Sequence, residues 1–148
     1  MIIRQALIEE VDRIMEIEAS GIRHPWSREL ITSLITSDKK VCLVAVDDND
    51  IPQGYIGASY LFEEAEIGNI CVMPEIRGQG TGQLLMEAVD SFMKEHQVEK
   101  IFLEVESDNT PAIKLYEKNN YTKYNARSDY YGQGLDALLY VKNLIGKS

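Results

Sequence analysis

The sequence predicts a mixed α/β protein, a sheet that contains hairpins as well as crossovers and is covered by helices. Three observations lead there. Segments of helical and of strand periodicity are interleaved in the order β-α-α-β-β-β-α-β-α-β-β. Consecutive strand candidates between residues 41 and 72 are joined by short turn-forming links, which a purely doubly wound fold lacks. Composition is ordinary for one globular domain: 148 residues, 45% hydrophobic and 26% charged, long enough to bury about two-thirds of the unfolded surface. Residues 1–148 are therefore read as one domain.

The elements follow in order. Residues 2–6 read as a short first strand. Residues 8–19 carry Ile8, Val11, Ile14, Met15 and Ala19 on one helical face. Ser27 is a good N-cap for a second helix, with Glu29 in its first turn. Residues 41–46 are an apolar strand that ends in the turn Asp47-Asp48-Asn49-Asp50. Residues 54–62 and 65–72 are the next strands, and Pro74 stops the pattern. Leu84, Leu85, Ala88, Val89, Phe92 and Met93 mark an amphipathic helix over residues 81–96. A strand over 100–106 follows, then a helix over 111–118 that opens on Pro111 and closes at Asn119 or Asn120. Residues 121–126 and 136–141 close the chain as two strands.

Composition also excludes classes. No apolar run approaches the ~18–20 residues of a membrane span. Residues 1–10 lack a basic stretch followed by an apolar one, so no signal peptide is expected. Cys42 and Cys71 are too few for a disulfide framework and have no close partners for a zinc site. They imply a reducing cytoplasm and no metal. A net charge of −9 and a pI near 4.7 argue against a nucleic-acid binder. The acidity suits a basic peptide partner, or serves solubility alone.

The most informative stretch is Asn69-Ile70-Cys71-Val72-Met73-Pro74-Glu75-Ile76-Arg77-Gly78-Gln79-Gly80-Thr81-Gly82. A strand ends, glycines follow, and a long helix begins. Glycines admit close backbone approach, and a helix start offers unpaired N–H groups and partial positive charge, which together make an anion site. No lysine closes the loop, so it is not a P-loop. Gly78, Gly80 and Gly82 are spaced two apart, so it is not a dinucleotide fingerprint. What fits is R/Q-x-x-G-x-G/A, which resembles the pyrophosphate loop of the GCN5-related N-acetyltransferase (GNAT) family; the alternative is a glycine-rich helix entry without a ligand. The likeness continues through His24-Pro25-Trp26-Ser27, Leu103-Glu104-Val105, Ser107-Asp108-Asn109, Ala112-Ile113-Lys114-Leu115-Tyr116-Glu117 and Tyr130-Tyr131. These stretches are similar to the ribosomal-protein-alanine N-acetyltransferase branch of the family.

The resemblance implies a central mixed, mostly antiparallel sheet flanked by helices, and transfer of acetyl from acetyl-CoA to an amine. Arg77, Gly78, Gln79, Gly80, Thr81, Gly82 and Gln83 would take the pyrophosphate, and Ile70, Cys71 and Val72 the pantetheine arm. Asn109 would touch the cofactor, or act only as an N-cap. The resemblance makes Glu104 the general base. The residues alone show a carboxylate on the strand face of Phe102 and Glu106, costly there unless paired or functional, or else simply solvent-facing. It makes Tyr116 the acid that protonates the leaving thiolate, where the bland reading is a core aromatic. The Val72 N–H would hold the oxyanion beside a strand irregularity, and Cys71 would line the core or cofactor rather than attack. Trp26, Tyr130 and Tyr131 would bracket the acceptor peptide.

The implied acceptor is the N-terminal alanine of a small-subunit ribosomal protein, presented as a basic peptide. An α-amine, with a pKa of about 7.7–8.0 against about 10.4 for lysine, is the easier group to deprotonate. Two departures bear on this. Asn120-Tyr121 replaces the usual Gly-Phe, with the same left-handed turn expected. Residues 125–136 are slightly short and lack a basic run, which bears on acceptor specificity. A GNAT enzyme for a polyamine, amino acid or lysine is a second reading, and a non-catalytic acyl-CoA sensor a third. A monomer is expected, with no nucleic-acid or membrane partner.

Overall fold

The computed structural model describes residues 1–144. The chain runs β1 (Ile2–Gln5), α1 (Val11–Ala19), α2 (Arg28–Thr36), β2 (Lys40–Val46), β3 (Pro52–Leu61), β4 (Glu64–Val72), α3 (Thr81–Glu95), β5 (Lys100–Glu106), α4 (Thr110–Lys118), β6 (Thr122–Gly132) and β7 (Leu135–Asn143). The predicted order of elements is the observed one. The first helix begins later than the periodicity suggests, because residues Ile8–Glu10 form a 3-10 turn. Ser27 caps α2 by accepting a hydrogen bond from the Leu30 N–H at 3.2 Å, and Asn120 takes the left-handed turn at φ 72°.

The strands form one seven-stranded sheet in the order β1-β2-β3-β4-β5-β7-β6. Every pairing is antiparallel except β4 with β5, so the sheet is mixed and mostly antiparallel, as expected. Alternation along β2 feeds two cores. Val41, Leu43 and Ala45 pack with Leu85, Met86, Val89 and Met93 of α3. Cys42, Val44 and Val46 pack on the other face with Ile14 and Ile17 of α1 and Ile31 and Leu34 of α2. At about 25 cal/mol per Å² of apolar surface, these two layers are the main stabilising term.

The last hairpin corrects the sequence reading. The strand expected over 121–126 runs on to Gly132, so Tyr130 and Tyr131 lie on β6 rather than in a loop. The register slips between Arg127 and Gly132, where Asp129 takes φ 54°. Polar, exposed residues there give no alternation, so periodicity could not reveal the extension.

The cores hold several acids in their neutral form. Burial pushes the Cys42 thiol from 9.0 up to about 12. Burial, then a hydrogen bond to Glu117, pushes the Tyr140 hydroxyl from 10.0 up to about 12. Burial raises Tyr55, Tyr116 and Tyr121 further. A raised folded-state pKa gives stability that is complete below the unfolded value and lost above it. We therefore expect the denaturation midpoint to lose these contributions from about pH 9 to pH 12, first through Cys42 and then through the tyrosines. Urea titrations at pH 8, 10 and 11 check this. An unchanged midpoint at pH 11 would refute it.

Candidate active site

The site begins where β4 and β5 part. They pair only at Glu64, Ala65 and Glu66 with Lys100, Ile101 and Phe102. Beyond those pairs the strands diverge, and a cleft of about 890 Å³ opens between them. A bulge helps to shape it. Gly57 faces Asn69 while Ala58 faces Ile67, so Gly68 is an extra residue on β4. One extra residue inverts the side-chain phase: Ala65 and Ile67 face α3 before the bulge, and Ile70 and Val72 face it afterwards. Glycine is required at the bulge because a Cβ there would fall 2.8 Å from Cζ2 of Trp26, whose ring lies against it.

The inversion relocates Cys71. Of the two places expected for it, core or cofactor, its side chain takes the core beside α1, and its thiol donates to the Ile17 carbonyl at 3.2 Å. Burial raises its pKa, which removes it as a nucleophile. The strand irregularity expected beside Val72 lies four residues earlier. The Met73 N–H bonds to the Gln53 carbonyl of β3 at 2.8 Å, so by alternation the N–H groups of Ile70 and Val72 point the other way, into the gap.

At the end of β4 the chain passes through a 3-10 turn, Pro74–Ile76, into the glycine loop. Gly78 and Gly80 take φ 80° and 87°, with no atom within 4 Å of where a Cβ would stand, so the loop's outer side is open. No side chain caps α3, which leaves the N–H groups of Thr81, Gly82 and Gln83 unpaired at its positive end. This is the geometry for an anion. Other members of the predicted set do different work. Arg77 is turned back toward β4, with Nε on the Val72 carbonyl at 3.0 Å and Nη2 on that of Ser20 at 3.4 Å, and braces the loop against the strand end and α1. The Gln83 amide is engaged with Asn119 at 2.9 Å in both directions. Gly82 lets Leu115 of α4 approach, a Cβ there being 3.3 Å from it.

Two candidate proton carriers reach the gap from opposite faces of the sheet. Ile101, Leu103 and Val105 of β5 join the α3 core, so Glu104 projects on the α1–α2 side, as the alternation predicts. Its side chain is 26% exposed, accepts a hydrogen bond from the Tyr131 hydroxyl at 2.6 Å, and lies 3.8 Å from Arg127. Burial, then this bond, raises the Tyr131 pKa, so the hydroxyl stays a donor. Tyr116 comes from α4 on the other face. It is buried in the α3 core yet also lines the cleft, and burial alone raises its pKa. Its ring packs while its hydroxyl stays available. Asn109 lines the cleft while its Oδ1 caps α4 by accepting from the Ala112 N–H at 3.3 Å. The N-cap role is the one observed, on a residue that also borders the cleft.

The other wall holds Trp26, half-buried in the α1–α2 link, and Tyr131. Tyr130 stands edge-on to Tyr131 at 5.1 Å, with Arg127 5.3 Å above its ring, and is 55% exposed. Arg23 of the same link pairs with Glu106 and, at 3.1 Å, with Asp108, and so ties the two walls together.

Sequence reasoning missed Glu18. Among the described residues it is the only fully buried carboxylate. It accepts from the Trp26 N–H at 2.7 Å, the Asn69 side chain at 2.7 Å and the Tyr55 hydroxyl. It therefore fixes the Trp26 link to the strand beside the bulge. A signal existed: Glu18 is seven residues after Val11 and four after Ile14, on the helix's buried stripe.

A strand-loop-helix anion site beside a half-buried carboxylate in a split sheet suits acyl transfer. The family profile described as Acetyltransferase (GNAT) family matches residues 11–121, and the chain belongs to that family and is an N-acetyltransferase. It is 30% identical over 138 residues to a Bacillus subtilis (strain 168) protein provisionally named a ribosomal protein bS18-alanine N-acetyltransferase, covering 93% of this chain and 91% of that one. Its fold matches the ribosomal-protein-S18-alanine N-acetyltransferase of Escherichia coli with a TM-score of 0.89 at 22% identity, over 99% and 96% of the two chains. It matches Arabidopsis thaliana NAA60 in complex with acetyl-CoA with a TM-score of 0.88 at 18% identity, over 98% and 99%.

Proposed function

We propose that this enzyme transfers acetyl from acetyl-CoA to the N-terminal alanine amine of a small-subunit ribosomal protein, by direct attack in a ternary complex. The observation that carries the reading is that Glu104 and Tyr116 enter one gap from opposite faces, with the anion loop at the gap's end. Base and acid are thereby kept on the two sides of the bond being exchanged. The N–H groups of residues 81–83 hold the pyrophosphate, and the exposed edge of β4 at Ile70 and Val72 takes the pantetheine amides. Trp26 and Tyr131 flank the entering amine. Glu104 accepts its proton, directly or through water, the Val72 N–H stabilises the oxyanion, and the Tyr116 hydroxyl protonates the departing thiolate. The Bacillus relative's name supports the ribosomal acceptor. No helix among the described residues is long and apolar enough to cross a membrane.

Tyr116→Phe keeps the packed ring and removes only the hydroxyl. We expect kcat to fall by about 10- to 100-fold, with the melting temperature and acetyl-CoA affinity nearly unchanged. Steady-state kinetics with a melting curve check it, and full activity would remove Tyr116 from the acid role.

The reading as a whole is tested by mass spectrometry of a basic peptide that begins with a free alanine and contains an internal lysine. One acetyl group on the N-terminal amine supports it. Acetylation of the lysine alone, or of no peptide while acetyl-CoA still binds, redirects it to a lysine or small-molecule acceptor.

A further inference from the structure

We infer that the enzyme carries a second acceptor subsite, a groove at the β3–β4 turn that binds the fourth to sixth residues of the peptide and selects basic ones. The inference rests on the peptide reading above.

The groove, of about 850 Å³, is lined by Leu61, Phe62, Glu63, Glu64, Phe102 and Tyr124 among others. It is continuous with the catalytic cleft, since Lys40, Ser59 and Glu66 border both. Register explains the continuity. Lys40 pairs with Ser59, Ser59 with Glu66, and Glu66 with Phe102, a row across four strands on the side of Glu104. Helix α2 ends at Thr36 and leaves this part of the sheet uncovered. From Glu104 to Lys100 is four residues of strand, about 13 Å at ~3.3 Å each. An extended peptide with its amine at Glu104 covers that distance in about four residues.

The lining fits a lysine or arginine side chain. Phe62 is 78% exposed and Leu61 61%, an apolar patch out of keeping with a solvated turn. Tyr124 stands edge-on to Phe102 at 6.0 Å. Aromatic rings cover the aliphatic stem of a basic side chain and attract its charge. Glu63, Glu64 and Glu66 make no ion pair among the described residues. Lys39 and Lys40 also line the groove, but neither pairs with these carboxylates: Lys39 stands 5.5 Å above the Tyr60 ring, and Lys40 Nζ bonds Ser33 Oγ at 3.0 Å. The lining therefore carries more carboxylates than cations, with Asp38, Glu63, Glu64 and Glu66 against Lys39 and Lys40. A small amine held at Glu104 cannot reach them.

The test uses three peptides with the same first three residues, beginning with Ala. One is an octapeptide with Arg at positions 4–6, one has Ser there, and one stops at residue 3. The wild-type enzyme should show a KM for the Arg octapeptide lower than for the Ser octapeptide on the order of tenfold, the sum of a few exposed ion pairs. Glu63→Gln/Glu64→Gln and Phe62→Ser should each shrink that ratio, with the tripeptide's KM and every kcat unchanged. Equal KM values for the two octapeptides in the wild type overturn the inference, as does a ratio that survives both variants. A change in sedimentation with unchanged KM assigns the patch to a second copy of the chain and also overturns it. If the wild type acetylates no peptide N-terminus, the proposed function itself has failed, a result distinct from all of these.

Discussion

Glu104→Gln should lower turnover by about two to three orders of magnitude and leave acetyl-CoA affinity unchanged. Glutamine has nearly the same shape, and its carbonyl still accepts the 2.6 Å bond from Tyr131. It cannot take a proton. The anion loop lies on the other side of the gap, at Gly78 to Gln83, so calorimetric titration with acetyl-CoA should give the same dissociation constant. The deficit should also depend on pH. An N-terminal amine titrates at about pH 7.7–8.0, so at pH 9 most of it is already free and the variant should recover part of its loss. Rates for both enzymes between pH 6.5 and 9.5 measure this. Unchanged turnover at neutral pH would take Glu104 out of the mechanism. A loss that stays constant with pH would mean that it positions Tyr131 or the amine rather than accepting a proton.

Glu18→Leu should have the largest effect on stability, about 3 kcal/mol or more. The change strands three donors in the interior: the Trp26 N–H, the Asn69 amide and the Tyr55 hydroxyl. Each buried orphan costs roughly 1–3 kcal/mol. Against a domain stability of about 5–15 kcal/mol, that is enough to unfold much of the population at physiological temperature. Glu18→Gln should lose less, because one oxygen remains to accept. Urea denaturation of the three proteins gives the comparison. A Leu variant within 1 kcal/mol of wild type would mean that water or a rearranged Trp26 link satisfies the donors.

Glu18 also marks the boundary of what could be read from the sequence. The order of elements, the face of Glu104 and the glycine loop were legible because they follow from periodicity, from capping chemistry and from motif spacing. The bulge at Gly68 was not, because it arises from pairing with β3, a non-local event, and a single glycine in a strand does not reveal its register. From that one residue follow the turning of Cys71 into the α1 core and of Asn69 toward Glu18. The extension of β6 from the expected 121–126 to Gly132 was missed for a different reason: pairing with β7 imposes the strand, with no buried face to leave an alternating pattern. Arg77 opens the motif and Gln83 follows it directly, yet their side chains brace the loop and join α3 to α4. Spacing identifies the segment that meets a ligand, while the direction of each side chain is decided by packing.

The short pairing between β4 and β5 has a consequence for motion as well as chemistry. The sheet's two halves are joined there by three residue pairs at one end, and beyond them neither strand pairs with the other. Amides such as those of Ile70 and Val72 lack a partner strand and should exchange with solvent rapidly, while their neighbours Cys71 and Met73, bonded to β3, exchange slowly. A ligand lying along that edge acts as a splint across the seam, and tight binding should slow those two amides and raise the melting temperature with ligand concentration. Loss of the alternation between fast and slow exchange along four consecutive residues would thus report occupancy of the site without any turnover.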